Sequence, residues 1–207
     1  MIEIFNNFIS PKDQKLFYDF VSSNAFPYRF QDVHNDLSGV ATKGYYQSNS
    51  IGDSVSDSFN STIYANPRQL THHLYINDGE VDYESPHLPI LSPFLESIKA
   101  KVGEYDLLRA KVNVTMCDPR FDPYTSQVPH IDLKYENGAE VPHVVFLYYI
   151  NDSDGPTYFY NSDFQVIGSV PPSMGTCVMF DGGTLHAGSN PSLTPFRFAL
   201  NINIRKK

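Results

Sequence analysis

The C-terminal stretch Phe196-Arg197-Phe198-Ala199-Leu200-Asn201-Ile202-Asn203-Ile204 constrains the fold more than any other part of the chain. Its even positions are Phe, Leu and Ile throughout, and a period of two is the signature of a strand with one packed face. The odd face carries Arg197, Ala199, Asn201 and Asn203, which cannot fill a dry core without partners. Such a strand needs an apolar layer on one side and a polar-lined space on the other. A helical layer is expected to cover the apolar face.

The pattern upstream agrees. From Leu108 onward the chain reads as short strands: Ala110–Met116, Val128–Leu133, His143–Ile150, Thr157–Tyr160, Val166–Val170, Cys177–Phe180 and Leu185–Ala187 precede the final one. Turn residues separate them, and 15 Pro and 12 Gly punctuate the chain too often for long helices to dominate. Strands at this spacing predict a mainly β jelly roll with helices packed on one sheet. A first helix is expected from Ser10, as N-cap, and Pro11, with Leu16, Phe17, Phe20 and Val21 on one face, ending near Asn24. A second should cover Leu91 to Val102. His72–Ile76 reads as a short strand, and residues 30–65 as irregular structure with one or two edge strands. At 207 residues one domain is expected, with 1–107 as helical or irregular support and 108–205 as the core.

A net charge of −8 argues against a general nucleic-acid binder, which relies on clustered Lys and Arg. Arg205-Lys206-Lys207 reads as a solvated tail. Cys117 and Cys177 are too few for a disulfide framework. Met1 leads into Ile2-Glu3-Ile4-Phe5 without a signal-peptide pattern, and no run reaches membrane-spanning length. The expectation is a soluble cytoplasmic protein with no membrane partner.

Two segments carry candidate chemistry. In Val128-Pro129-His130-Ile131-Asp132, residues two apart on a strand share a face, so an imidazole and a carboxylate converge. These are two corners of the 2-His-1-carboxylate triad that binds Fe(II) on one side and leaves positions open. Phe180-Asp181-Gly182-Gly183-Thr184-Leu185-His186 supplies a His after a Gly-Gly turn. Taken singly, a His-x-Asp pair is more often a surface pair, and a lone His more often a hydrogen-bonded core residue. Arg197 adds a guanidinium on the polar face beside small Ala199, suited to gripping a carboxylate through two parallel hydrogen bonds; on an edge strand it would merely face solvent.

The order His130-x-Asp132, His186, Arg197 resembles the iron- and 2-oxoglutarate-dependent oxygenases, particularly their prolyl 4-hydroxylase-like branch. Phe146-Leu147-Tyr148-Tyr149-Ile150-Asn151 is similar to that branch's Tyr-Tyr-x-Asn strand. Asp154-Gly155-Pro156-Thr157 resembles its Gly-Gly-x-Thr turn, with Pro156 in place of one Gly. Pro171-Pro172-Ser173-Met174-Gly175 resembles its Pro-x-x-Gly turn, and His186-Ala187-Gly188-Ser189-Asn190-Pro191 its segment after the distal His. The resemblance covers about residues 108–205.

The resemblance implies a double-stranded β-helix with Fe(II) held by His130, Asp132 and His186. Arg197 would pair with the distal carboxylate of 2-oxoglutarate, and Tyr149 would donate its hydroxyl to the same group. Asn113 could touch the keto-acid end or simply satisfy the backbone. The branch's tyrosine ahead of the His-x-Asp pair has no clear match, since Phe121 falls near that position. The implied activity is a dioxygenase coupling 2-oxoglutarate decarboxylation by O2 to hydroxylation of a protein, peptide or small-molecule substrate, with a peptidyl proline as first guess. Two other readings stand beside it: AlkB-like dealkylation of nucleic acid, and a non-catalytic jelly-roll module that only binds metal or ligand. Of the remaining histidines, His72 and His73 alternate faces, one core and one surface, while His34 and His87 read as solvated. Residues 30–65 and 117–127 are the expected lid.

Overall fold

The structure, a computed structural model, describes residues 2–32, 64–65, 68–77, 82–117, 126–133 and 141–207. In chain order its elements begin with β1 (Ile2–Phe5), helix α1 (Pro11–Val21), β2 (Arg29–Asp32), β3 (Tyr64–Ala65), β4 (Arg68–Asn77) and β5 (Asp82–Glu84). A 3-10 turn (Leu88–Leu91) then leads into helix α2 (Ser92–Val102), β6 (Tyr105–Met116), β7 (Ser126–Gln127) and β8 (Val144–Tyr149). The chain closes with β9 (Thr157–Tyr160), β10 (Val166–Val170), β11 (Cys177–Asp181), β12 (Leu185–Gly188) and β13 (Phe196–Lys206).

Strand β13 sits inside the larger sheet, paired antiparallel with β6 on one side and β8 on the other. The sheet order is β1-β11-β8-β13-β6-β4-β2, with β5 also paired to β4. A smaller sheet runs β10-β9-β12, and β3 pairs with β7 in parallel. The architecture is a jelly roll of two antiparallel sheets with helices on one face, as the strand spacing predicts.

Alternation decides what each face meets. Phe198, Leu200, Ile202 and Ile204 of β13 join Ala110, Val112 and Val114 of β6 and Phe146 and Tyr148 of β8 in one buried cluster. Phe17 and Val21 of α1 and Leu91, Phe94 and Ile98 around α2 cap that cluster. Phe17 meets Phe94 edge-on at 4.8 Å, and Phe94 meets Tyr148 edge-on at the same distance. The opposite face forms a smaller core between the sheets, with Val145, Leu147, Tyr149 and Ala199 against Phe159, Val178 and Phe180. The remaining inward positions of β6 and β13 are polar and face a cavity.

Helix α1 starts where Ser10 accepts the Asp13 N–H at 3.2 Å and ends at Val21, three residues short of the expected Asn24. Ser22 and Ser23 stop it by turning their hydroxyls onto the Tyr18 and Phe20 carbonyls. Helix α2 begins one residue after Leu91 because the 3-10 turn takes that position. The expected strand Val128–Leu133 is the largest departure. Only Ser126–Gln127 is a strand there, and His130 makes a single bridge to His186 before the chain bends at Asp132. Pro129 has no N–H to donate, so a continuous ladder cannot form. The first 107 residues supply more sheet than expected: β1, β2, β4 and β5 all join the larger sheet. Of the irregular 30–65 segment, only its two ends lie within the described residues. No helix among the described residues is long and apolar enough to cross a membrane.

The Tyr148 hydroxyl is buried with no hydrogen-bond partner among the described residues. Tyr148→Phe is therefore expected to leave stability unchanged or raise it, whereas Phe94→Ala should cost about 3–5 kcal/mol. Urea unfolding midpoints of the two variants check this; a large loss in Tyr148→Phe would contradict it.

Candidate metal and dicarboxylate site

The imidazoles of His130 and His186 come together because their backbones pair, each N–H donating to the other's carbonyl at 3.0 Å. Their rings lie 4.8 Å apart, with Phe180 edge-on to His186. His130 Nδ1 is 2.9 Å from the Val128 carbonyl, and His186 Nδ1 is 3.0 Å from the Thr184 carbonyl. A carbonyl only accepts, so both Nδ1 atoms carry the proton and both Nε2 lone pairs are left free. Asp132 Oδ2 lies 3.9 Å from His186 Nε2, and one ligand atom from each of the three residues falls within 4.8 Å of the others. Two neutral imidazoles and one carboxylate at this spacing fit a divalent metal bound on one face.

Asp132 is held from below. Arg109 donates Nη2 to Oδ1 at 2.7 Å and Nη1 to the Asp132 carbonyl at 3.2 Å. Asn201 and Asn203 donate Nδ2 to Oδ2 at 2.9 and 3.0 Å, and Asn203 Oδ1 accepts Arg109 Nε at 2.9 Å. Burial alone would raise the carboxyl, but Arg109 foremost, then His186 and Lys111, hold it well below the usual range. Burial, reinforced by its neighbour His186, pulls His130 down to about 4. Burial likewise lowers His186, with Asp132 opposing.

Arg197 lines the same cavity, which measures about 90 Å³. It is 5% exposed, donating Nε to the Gly155 carbonyl at 2.8 Å and Nη2 to Thr157 Oγ1 at 2.7 Å. No carboxylate among the described residues pairs with it. A side chain at Gly155 would meet the Ser189 carbonyl at 2.5 Å, which is why the turn presenting that acceptor needs glycine. Asp154 anchors the turn, accepting N–H groups from Ser192, Leu193 and Thr194.

The structure separates the remaining expectations. Tyr149 is buried between the sheets, and its hydroxyl donates to Thr157 Oγ1 at 2.9 Å with Val170 O at 3.3 Å. It stands one hydrogen bond behind the cavity wall; Thr157 is the hydroxyl that lines it. Arg197 Nη2 and the Tyr149 hydroxyl both meet Thr157 Oγ1, which ties the cavity-lining hydroxyl to both residues. Asn113 lines the cavity, and its Oδ1 has no partner among the described residues. Phe121 and His34 lie outside the described residues. His72 is a satisfied core residue bonded to Pro27 O and Ser85 Oγ, and His73 is half-buried near Lys111. His87 packs edge-on against Phe20 at 5.3 Å and is not fully solvated. The sequence reading missed Thr157, Arg109 and Lys111, whose signal was their inward parity on β9 and β6.

No protein-family model matches the sequence, and no curated protein is detectably similar to it. Solved structures are informative. The non-heme α-ketoglutarate-dependent epimerase SnoN from nogalamycin biosynthesis aligns over 99% of this chain and 77% of its own, at 11% identity and TM-score 0.56. HygX from Streptomyces hygroscopicus, solved with nickel and 2-oxoglutarate, aligns over 100% and 83% at 12% identity and TM-score 0.53. A Pseudomonas putida prolyl-4-hydroxylase aligns over 100% and 92% at 13% identity and TM-score 0.50. The fold is that of the 2-oxoglutarate–Fe(II) oxygenases.

Two outcomes follow for the metal-free protein. His130 binds its proton near pH 4 when folded and near the ordinary 6.5 when unfolded, so the unfolded chain takes up the extra proton between those values. Stability should be fully present above pH 6.5 and fall as pH drops toward 4, read from denaturant midpoints; a flat profile would contradict this. Arg109→Ala leaves a buried carboxylate without its cation and should cost about 3–5 kcal/mol at neutral pH.

Proposed function

We propose that the protein is an Fe(II)- and 2-oxoglutarate-dependent dioxygenase, a hydroxylase in which His130, Asp132 and His186 ligate the metal. The carrying observation is Arg197: a buried guanidinium with no described protein anion, in one cavity with a two-His, one-carboxylate cluster. A desolvated cation of this kind calls for an anion that the described residues do not supply. The distal carboxylate of 2-oxoglutarate supplies it, and likeness of fold to oxygenases supports the choice.

Bound together, iron and 2-oxoglutarate would supply the oxidative decarboxylation by which O2 becomes able to attack an unactivated C–H bond. The chain's own residues do the positioning. Arg109, Asn201 and Asn203 fix the Asp132 carboxylate so that it need not reorganise when metal enters. The Val128 and Thr184 carbonyls fix the His tautomers. Arg197, steered by Gly155 O and Thr157, receives the distal carboxylate, with the Thr157 hydroxyl donating beside it. Tyr149 supports that hydroxyl from behind, and Asn113 is placed to meet the keto-acid end. Leu147 and Ala199 keep the floor apolar and dry. A peptidyl proline is one candidate substrate. Two free cysteines fit a reducing, cytoplasmic setting in which iron(II) persists.

Anaerobic addition of Fe(II) and 2-oxoglutarate should give a weak visible charge-transfer band, lost in His130→Ala. Arg197→Met should weaken 2-oxoglutarate binding by roughly 2–3 kcal/mol while leaving metal affinity near wild type. A band that survives in His130→Ala would refute the assignment. Succinate release coupled to oxygen uptake separates an oxygenase from a module that only binds.

A further inference from the structure

On the same sheet face as Arg197, four residues along the β13–β6 register, the cavity contains a second, half-buried cation that this reading leaves unused. Lys111 points inward from β6, between Asn201 of β13 and His73 of β4 in the strand register. It lines the cavity together with His130 and Asp132. Arg109, the neighbouring cation, is fully committed to Asp132 and Asn203. Among the described residues Lys111 has no hydrogen bond and no ion-pair partner; Asp132 acts on it only through its field. Burial, then Arg109, pull its amine down to about 8 in the metal-free protein, with Asp132 opposing.

Beside it, Asn201 is 3% exposed, with Nδ2 on Asp132 and Oδ1 buried without a partner. The amide cannot be flipped, because a carbonyl oxygen facing the Asp132 carboxylate would be repelled. Asn201 Oδ1 therefore needs a donor from within the cavity. Gln69, Gln127 and Thr115 continue the polar lining toward β4 and β7.

Charge balance points the same way. With iron(II) and 2-oxoglutarate in place, as the proposed function requires, the metal, Arg109, Lys111 and Arg197 bring five positive charges. Asp132 and the dianion return three, so with Lys111 protonated two are left without a countercharge among the described residues. His73, pushed down to about 4 by burial and Lys111, stays neutral and adds none.

We infer that Lys111 and Asn201 form the substrate-recognition end of this cavity, and that the substrate carries a carboxylate flanked by an N–H or O–H donor. The carboxylate pairs with the Lys111 ammonium and the donor meets Asn201 Oδ1. A free acid and an acidic peptide share this chemistry; an uncharged prolyl peptide lacks it. This inference rests on the proposed function, since the substrate must enter a cavity already holding metal and cosubstrate.

The test uses calorimetry on full-length protein loaded with nickel(II) and saturating 2-oxoglutarate, so that binding is read without turnover. N-acetylglycine is compared with N-acetylglycinamide, and a blocked Gly-Glu-Gly peptide with blocked Gly-Gln-Gly. The expected result is that at least one acid binds about tenfold or more tightly than its amide. Which pair shows it tells a small acid from an acidic peptide. Lys111→Met should abolish the preference, Lys111→Arg should keep it, and 2-oxoglutarate affinity should change less than about threefold in both. Equal binding of acid and amide by the wild-type protein, or no binding of either acid, overturns the inference whether or not the variants fold. Loss of 2-oxoglutarate affinity in Lys111→Met would also overturn it, by making Lys111 a cosubstrate anchor. Failure of nickel and 2-oxoglutarate to bind at all would instead refute the proposed function.

Discussion

Everything at this site depends on a carboxylate that water does not reach. Asp132 has a side chain only 2% exposed, and one guanidinium and two amides from β6 and β13 hold it. Removing a carboxylate from water costs several kcal/mol, which is recovered only when every lone pair finds a donor. The donors are on adjacent strands, and their register, Arg109 opposite Asn203, makes the cradle. The same alternation that sends Leu200, Ile202 and Ile204 into the helical layer sends Asn201 and Asn203 up to Asp132. Fold stability and site geometry are thus two faces of one strand.

The cavity is unusual for how little of its wall is apolar. Leu147, Gly188 and Ala199 are its only non-polar lining among the described residues, and Gly188 leaves room for the Arg197 guanidinium, whose Nη1 lies 3.3 Å from where a Cβ would be. A metal ion would answer the free Nε2 atoms of the two histidines, and a dicarboxylate would answer Arg197. Neither answers Lys111 or Asn201 Oδ1, so the polar groups outnumber what metal and cosubstrate can satisfy. That surplus is where substrate selection should reside.

Much of this was legible from residues alone, for identifiable reasons. Arg197 stood out because β13 alternates cleanly over its whole length, and parity is a local property. His130 and Asp132 are legible as a pair from their spacing, although no regular strand sets their geometry. They converge through a bridge and a bend, since Pro129 blocks a regular strand. Tyr149 and Thr157 both point inward, but parity says nothing of depth, and only the packed structure shows Thr157 in front. Arg109 and Lys111 occupy inward positions of β6, where their charges became meaningful only once Asp132, more than twenty residues away in sequence, was brought above them. Strand β1 was missed because four residues are too few to establish a period, and its place beside β11 is decided by long-range pairing.

The central claim is that one cavity holds both a metal and a dicarboxylate, at opposite ends of a wall built by β13. The most direct measurement is a crystal structure of protein loaded anaerobically with manganese(II) and 2-oxoglutarate, with the metal located by anomalous scattering. The account predicts an anomalous peak shared by His130 Nε2, His186 Nε2 and Asp132 Oδ2, and a distal carboxylate on Arg197 and Thr157. A metal bound elsewhere, or a cosubstrate carboxylate turned away from Arg197, would contradict it.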